Sequence, residues 1–306
     1  MRLRVVDLDG AVASQPFLGG LIEAGEAECI AARDLAPSLR ILAARQPLRE
    51  LARRLGETPA ANGEPDVLFF GSGDFHHLTA LFVALQPEPL TIVHFDNHPD
   101  WVRYPTNNCG SWVNRALKAG HVERVVTVGP CSTDLQHPEW KLANLPAMRE
   151  GRLTVYPWRG APTRLWGAPM STPGARSQDG VLTWRNLGAE SWDDFLDELV
   201  GSLPDRALWI TIDKDVLRPA EAVTNWDQGE MGLDHITSAL RRLAASFKIV
   251  GVDVCGDYSP PRLKDPLRAF LSWSDRPALA MPGQAELAIN DNTNARLTAV
   301  LREVLQ

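Results

Sequence analysis

Three short stretches of the chain gather acidic and imidazole groups in an ordered way. They are Gly73-Asp74-Phe75-His76-His77, Asp96-Asn97-His98-Pro99-Asp100 and Asp213-Lys214-Asp215. Along extended backbone, residues i, i+2 and i+4 face one side, so Asp96, His98 and Asp100 can converge, as can Asp213 and Asp215. Carboxylates crowded in this way repel one another unless a cation lies among them. Oxygen and nitrogen donors in this number could hold two divalent metal ions. A lone Asp-x-Asp after a strand says little, since such aspartates often cap helices or stay solvated. Two such motifs at successive strand ends, preceded by a Gly-Asp…His turn, coincide by chance far less often.

Each motif follows a run of β-branched and aromatic residues, the composition of a buried strand. Residues 3–8, 67–70, 90–95, 124–128, 153–156, 208–212 and 248–254 are the predicted strands. Residues 38–55, 233–245 and 292–305 carry apolar side chains at helical spacing, and Ser191-Trp192-Asp193-Asp194 opens another helix with an N-cap serine and an acidic first turn. Continuous apolar strands alternating with helices predict a parallel sheet covered on both faces. In such a sheet, ligands gather just beyond the carboxyl ends of the strands, where the three motifs fall. Residues 157–180, rich in Pro, Gly, Arg and Ser and without a clear period, are expected to form a long loop or insertion over the sheet edge. Neither an interdomain linker nor an internal repeat is visible, so residues 1–306 are expected to form one domain.

Composition narrows the partners. With 44% hydrophobic and 23% charged residues the chain has the make-up of a soluble globular protein. A net charge of −7 argues against nucleic acid, which needs a basic surface, and suits a cationic small molecule as well as it suits ordinary solubility. No run approaches the roughly 20 apolar residues that span a bilayer. The first residues lack the apolar region of a signal peptide, and the four cysteines (Cys29, Cys109, Cys131, Cys255) show no disulfide or CxxC pattern. A reducing cytoplasm is the expected location.

The motifs resemble those of the arginase/agmatinase (ureohydrolase) family, which carries a Gly-Gly-Asp-His turn, an Asp-Ala-His-x-Asp strand end and a Ser-x-Asp-x-Asp strand end in this order. Here they read Ser72-Gly73-Asp74-Phe75-His76, Asp96-Asn97-His98-Pro99-Asp100 and Thr211-Ile212-Asp213-Lys214-Asp215, and Gly251-Val252-Asp253-Val254 looks like the family's last core strand. The resemblance implies an arginase-like three-layer αβα sandwich with a mostly parallel central sheet. It also implies a two-manganese site and homo-oligomers. One ion would take His76, Asp96, Asp100 and Asp213; the other would take Asp96, His98, Asp213 and Asp215. These donor types also suit zinc or iron. The implied chemistry is attack of metal-activated water on a planar carbon, with Asp100 hydrogen-bonding that water.

Departures from the family pattern bear on the substrate. Phe75 is an extra residue in the first motif, so His77 competes with His76 as ligand, although the following Leu78 favours His76. The family's proton-shuttling His-Gly pair is replaced by Cys109-Gly110; Cys109 is either a proton-transfer group or nucleophile, or a packed, inert thiol. The guanidinium-binding glutamate of arginases falls on Gly256, with Asp257 one residue on as its candidate replacement. Asn225 and Asp227, just after the third motif, are candidate substrate contacts.

The expected function is therefore a binuclear metal-dependent hydrolase of a guanidine, amidine or amide C–N bond, other than arginase itself. A metal-binding protein of the same fold without activity is the alternative. A further one is a haloacid-dehalogenase-like phosphatase using Asp7 of Asp7-Leu8-Asp9-Gly10, but the acidic magnesium motif that chemistry needs is missing after Gly256-Asp257. His94 and His235 stand alone and are expected to pack.

Overall fold

The predicted apolar runs pair into one sheet. A computed structural model describes residues 1–56, 63–261, 263, 265, 266, 268 and 282–306. Its strands are β1 (Arg2–Asp7), β2 (Glu28–Ala31), β3 (Asp66–Phe69), β4 (Leu90–Phe95), β5 (Val122–Val128), β6 (Leu153–Tyr156), β7 (Thr163–Arg164), β8 (Ser171–Thr172), β9 (Ala175–Gln178), β10 (Val181–Trp184), β11 (Ala207–Asp213) and β12 (Ile249–Cys255). Eight of them form a parallel sheet in the order β2-β1-β3-β12-β11-β4-β5-β6. Every residue of β4, β11 and β12 is buried, as expected of central strands packed on both faces.

Helices supply the two outer layers. On one face the C-terminal helix Gln284–Val304 packs against the helices Pro16–Glu23 and Leu233–Ser246. Their apolar residues join Val93, Ile210 and Val252 of the sheet in one core. On the other face the helices Thr79–Ala84 and Trp112–Lys118 pack together, and Phe82 and Trp112 meet Ile92 and Trp209 in a second core. The result is the three-layer αβα sandwich. No helix among the described residues is long and apolar enough to cross a membrane.

Connectivity explains where a site can open. β3 and β4 follow one another in the chain, yet β12 and β11 lie between them in the sheet. Loops leaving the carboxyl ends of β3 and β4 therefore start apart, and the crevice between them sits over β12 and β11. All three acidic motifs empty into this crevice.

The segment 157–180 differs from the loop expected of it. Within residues 163–184 four short strands form an antiparallel sheet ordered β7-β10-β9-β8. Its hairpin turns at Asp179-Gly180, both with positive φ (50° and 75°), the conformation a two-residue turn needs to match strand twist. Strand β10 then alternates exposed Val181 and Thr183 with buried Leu182 and Trp184. The edge strand β2 and the helix Pro16–Glu23 were also not anticipated. The helix expected over 38–55 is two helices, Ala36–Leu39 and Arg45–Gly56, and the last helix begins earlier than expected, at Gln284.

Candidate metal centre

Strand register builds the floor of the crevice. Thr211 of β11 stands level with Asp253 of β12 on one side and His94 of β4 on the other, and His94 is level with Thr127 of β5. These four polar side chains cross the sheet as one buried rung. Thr211 Oγ1 donates to Asp253 Oδ1 at 2.6 Å, and His94 Nδ1 pairs with Thr127 Oγ1 at 3.0 Å. Asp253 also accepts the Trp209 indole and, at 3.0 Å, the Thr79 hydroxyl. One rung nearer the crevice, Asp213 is level with Cys255.

The motifs converge above this floor. Residues Gly73–Leu78 form a 3₁₀ turn, in which residues three apart share a face. Gly73 and His76 consequently both face Asp213. A side chain at Gly73 would not fit, since its Cβ would come 2.6 Å from Asp213 Oδ2. His76 Nδ1 lies 2.9 Å from Asp96 Oδ2, 3.3 Å from Asp100 Oδ2 and 3.5 Å from Asp213 Oδ2. His98 Nδ1 lies 3.0 Å from Asp215 Oδ2 and 3.4 Å from Asp96 Oδ1. The six expected ligand residues are thus brought together, with Asp96 shared between the two histidines. His77 takes no part: it is buried, both ring nitrogens lack a hydrogen-bond partner, and burial lowers its pKa to about 3. The extra residue Phe75 is accommodated in the core beneath the Arg40 guanidinium.

Electrostatics inside the crevice are those of a site short of positive charge. Burial pushes the Asp100 carboxyl up to about 7, and the charge of Asp96 adds to it. Asp213 and Asp215 are raised by burial and by neighbouring carboxylates. Burial also opposes ionisation of Asp96, but His76, His94 and His98 around it hold it well below the usual carboxylate range. For His76 and His98, burial disfavours the charged ring and the carboxylates override it, raising both. Burial dominates at His94, lowering it to about 4.

Do these residues fit a metal? His76 Nδ1 is buried and faces three carboxylate oxygens, yet makes no hydrogen bond of acceptable geometry with any of them. Donors around a divalent ion at about 2.0–2.3 Å stand roughly 3–3.7 Å from one another, the spacing seen here. Carboxylate and imidazole donors in this number suit manganese, zinc or iron. The residues fit.

Other expected site residues occupy various places. Asp100 has a left-handed backbone (φ 49°), rare for a non-glycine residue, and its Oδ2 accepts from the Trp112 indole at 2.6 Å. Asp227, about half exposed, accepts from His98 Nε2 at 2.9 Å and lies at the mouth of the crevice. Asn225 has both ends of its amide tied to the Ser259 backbone. Asp257 is fully buried against Lys214 Nζ at 2.6 Å, with Gln15 and Asn294 also bonding it. Neither offers the crevice the contact expected of it. Cys109 opens a short turn, with its amide donating to Ile41, and is absent from the groups of clustered ligand atoms among the described residues. Gly256 (φ +91°) lies so close to Asp213 and the Lys214 backbone that a Cβ would overlap both. No glutamate can stand there. Asp7 is engaged by Arg33 at 2.7 Å and by the Gly10 amide at 3.1 Å, which closes residues 7–10 into a turn.

Sequence reasoning missed Thr211, Asp253 and Cys255 as site components, although the first two lie inside quoted motifs. It also missed Asp74 as an anchor. Asp74 pairs with Arg40 at 2.9 Å and accepts the Trp226 indole at 3.2 Å, tying the loop that bears Asp227 to the first motif.

A parallel eight-stranded central sheet flanked by helices on both faces is the architecture of the arginase-like α/β fold, and the chain is a divergent example of it. It is similar to the arginase of Bacillus cereus (TM-score 0.59, 13% identity, 98% of each chain). It is likewise similar to a hypothetical agmatinase from Burkholderia thailandensis (TM-score 0.56, 15% identity, 99% of this chain and 86% of that one). A third likeness is to the formimidoylglutamase of Bacillus subtilis (TM-score 0.53, 12% identity, 97% of this chain and 87% of that one). By sequence, it is 27% identical over 194 residues to an uncharacterized protein of Thermotoga maritima, over 63% of this chain and 59% of that protein. The chain thus matches about three-fifths of that relative's length. No family model matches the chain.

Proposed function

We propose that the protein is a binuclear metal-dependent hydrolase of a non-peptide C–N bond in a small guanidine, amidine or amide, distinct from arginase. The observation that carries this reading is the convergence of His76, Asp96, His98, Asp100, Asp213 and Asp215 from three strand ends onto one crevice. In the proposal, His76, Asp96, Asp100 and Asp213 hold one ion, and Asp96, His98, Asp213 and Asp215 the other. Manganese is the ion the family resemblance implies, and the carboxylate and imidazole donors suit zinc or iron as well. Such a pair would supply Lewis acidity and lower the pKa of a water toward neutrality. Asp100 would hold a proton of the attacking water, positioned by its bond to Trp112. Asp227, a half-exposed carboxylate at the mouth, favours a cationic substrate and fixes His98 through Nε2, leaving Nδ1 for the ion. The likeness to arginase, agmatinase and formimidoylglutamase structures supports this chemistry. Exclusion of arginine rests on Gly256, where an anchoring glutamate has no room. We further propose a cytoplasmic protein that forms homo-oligomers.

The test is metal analysis joined to a substrate panel. About two ions per chain, lost in Asp96→Ala, and release of ammonia, urea or amine from a guanidine, amidine or N-acyl amine would support the proposal. Activity on phosphate esters that Asp7→Asn abolishes and Asp213→Asn spares would overturn it. A second reading, a metal-binding protein without hydrolase activity, is favoured by how closed the crevice is: Asp96, Asp213 and Asp215 are buried, and His98 is only 17% exposed. Two bound ions with no product from the whole panel would select that reading.

A further inference from the structure

Cys255 stands apart from the donors discussed so far. It is fully buried at the end of β12, level with Asp213 on β11, and its sulfur lies 3.3 Å from Asp213 Oδ2. His76 Nδ1 lies 3.5 Å from that same oxygen. Ligand atoms of His76, Asp213 and Cys255 all fall within 4.8 Å of one another. We propose that Cys255 is a ligand of the ion held by His76 and Asp213, giving this centre a sulfur donor and a preference for thiophilic divalent ions over manganese.

Geometry supports coordination by a second, independent observation. His76 Nδ1, with the residue 1% exposed, has no hydrogen-bond partner and is aimed at the space these atoms enclose. Asp213 is flanked by glycines, Gly73 beside Oδ2 and Gly256 beside Oδ1, at positions where any larger residue would press on the carboxylate. Separations of 3.3 and 3.5 Å match the roughly 3–3.7 Å expected between nitrogen, oxygen and sulfur atoms bound to one ion. Without an ion, the thiol satisfies itself by donating to Asp213. On binding, the S–H bond breaks, its proton leaves to solvent and the sulfur–metal bond forms. Thiolate donors favour zinc, iron(II) or cobalt(II) over manganese, which prefers oxygen.

This inference rests on the proposed metal centre, so the experiment separates the two. The full chain is freed of metal and loaded with cobalt(II), and bound cobalt is counted before spectra are read. Expected are bound cobalt and a near-ultraviolet sulfur-to-cobalt charge-transfer band that Cys255→Ser loses and Cys131→Ser keeps. Zinc affinity should fall roughly 10- to 100-fold in Cys255→Ser while manganese affinity holds. Should the variant fail to fold, X-ray absorption on the zinc-loaded wild-type protein decides, with sulfur expected at about 2.3 Å. Bound metal with only nitrogen and oxygen neighbours, or no charge-transfer band, overturns the thiolate and leaves the metal centre standing. No bound metal overturns both.

Discussion

Thr211 donates its hydroxyl hydrogen to Asp253 Oδ1 over 2.6 Å, which leaves its oxygen to accept from His76 Nε2 at 2.9 Å. That order of donors places a hydrogen on Nε2 and turns Nδ1 toward the carboxylates, where its proton can give way to an ion. The imidazole proposed as ligand is therefore oriented by a strand residue, through a carboxylate that two more donors hold in place.

Thr211→Val keeps the shape of the side chain and removes the link. It leaves His76 Nε2 without its acceptor and Asp253 short of a donor, so ion-free stability should fall by about 1–3 kcal/mol in urea unfolding. Metal affinity by calorimetry should fall roughly 10- to 100-fold. Unchanged affinity would show that the rung does not position His76.

Asp213→Asn is expected to act with opposite sign in the two states. In metal-free protein it relieves repulsion among buried carboxylates and should raise stability on the order of 1 kcal/mol. With metal at 100 times its dissociation constant, wild-type protein should gain about 2.7 kcal/mol per binding event and the variant much less. Thermal melts with and without chelator read both effects; a variant destabilised in chelator would contradict the first.

Gly256→Ala should be damaging twice over. A left-handed backbone disfavours the alanine by about 1–3 kcal/mol, and its Cβ displaces Asp213. Gly25→Ala, also at positive φ (+73°) but in open space, is the control for backbone strain alone. Only the Gly256 variant should lose metal binding; equal behaviour of the two would remove the steric account.

Arg40→Met should cost about 3–5 kcal/mol, because it strands Asp9 and Asp74 as buried charges without their partner. Asp74 also holds the Trp226 indole, so the loop carrying Asp227 should loosen. Chemical denaturation and limited proteolysis between β11 and the helix Leu233–Ser246 test both parts.

How much of this was legible in the sequence follows from what sets each feature. The ligand motifs could be read because their spacing of two is a property of a single strand. Thr211 stood inside a quoted motif, but its role depends on β11 and β12 being level at that residue, and pairing register is not written in one strand. Cys255 escaped notice for the same reason, appearing as one of four scattered thiols. The Asp179-Gly180 hairpin did have a local signal, overlooked among the prolines and glycines of a segment read as irregular. β2 had almost none, with only Ile30 of its four residues buried. Loop positions such as Asn225 and Asp257 depended on tertiary partners, Ser259 and Lys214, distant in sequence.

The glycine at the end of β12 also bears on the history open to this protein. Any side chain at Gly256 would push out Asp213 and with it a donor to the proposed ions. A glutamate gained there by a single substitution would therefore disrupt the proposed metal centre. New substrates are reachable instead through the exposed rim around Asp227, where residues can be exchanged one at a time without touching the floor.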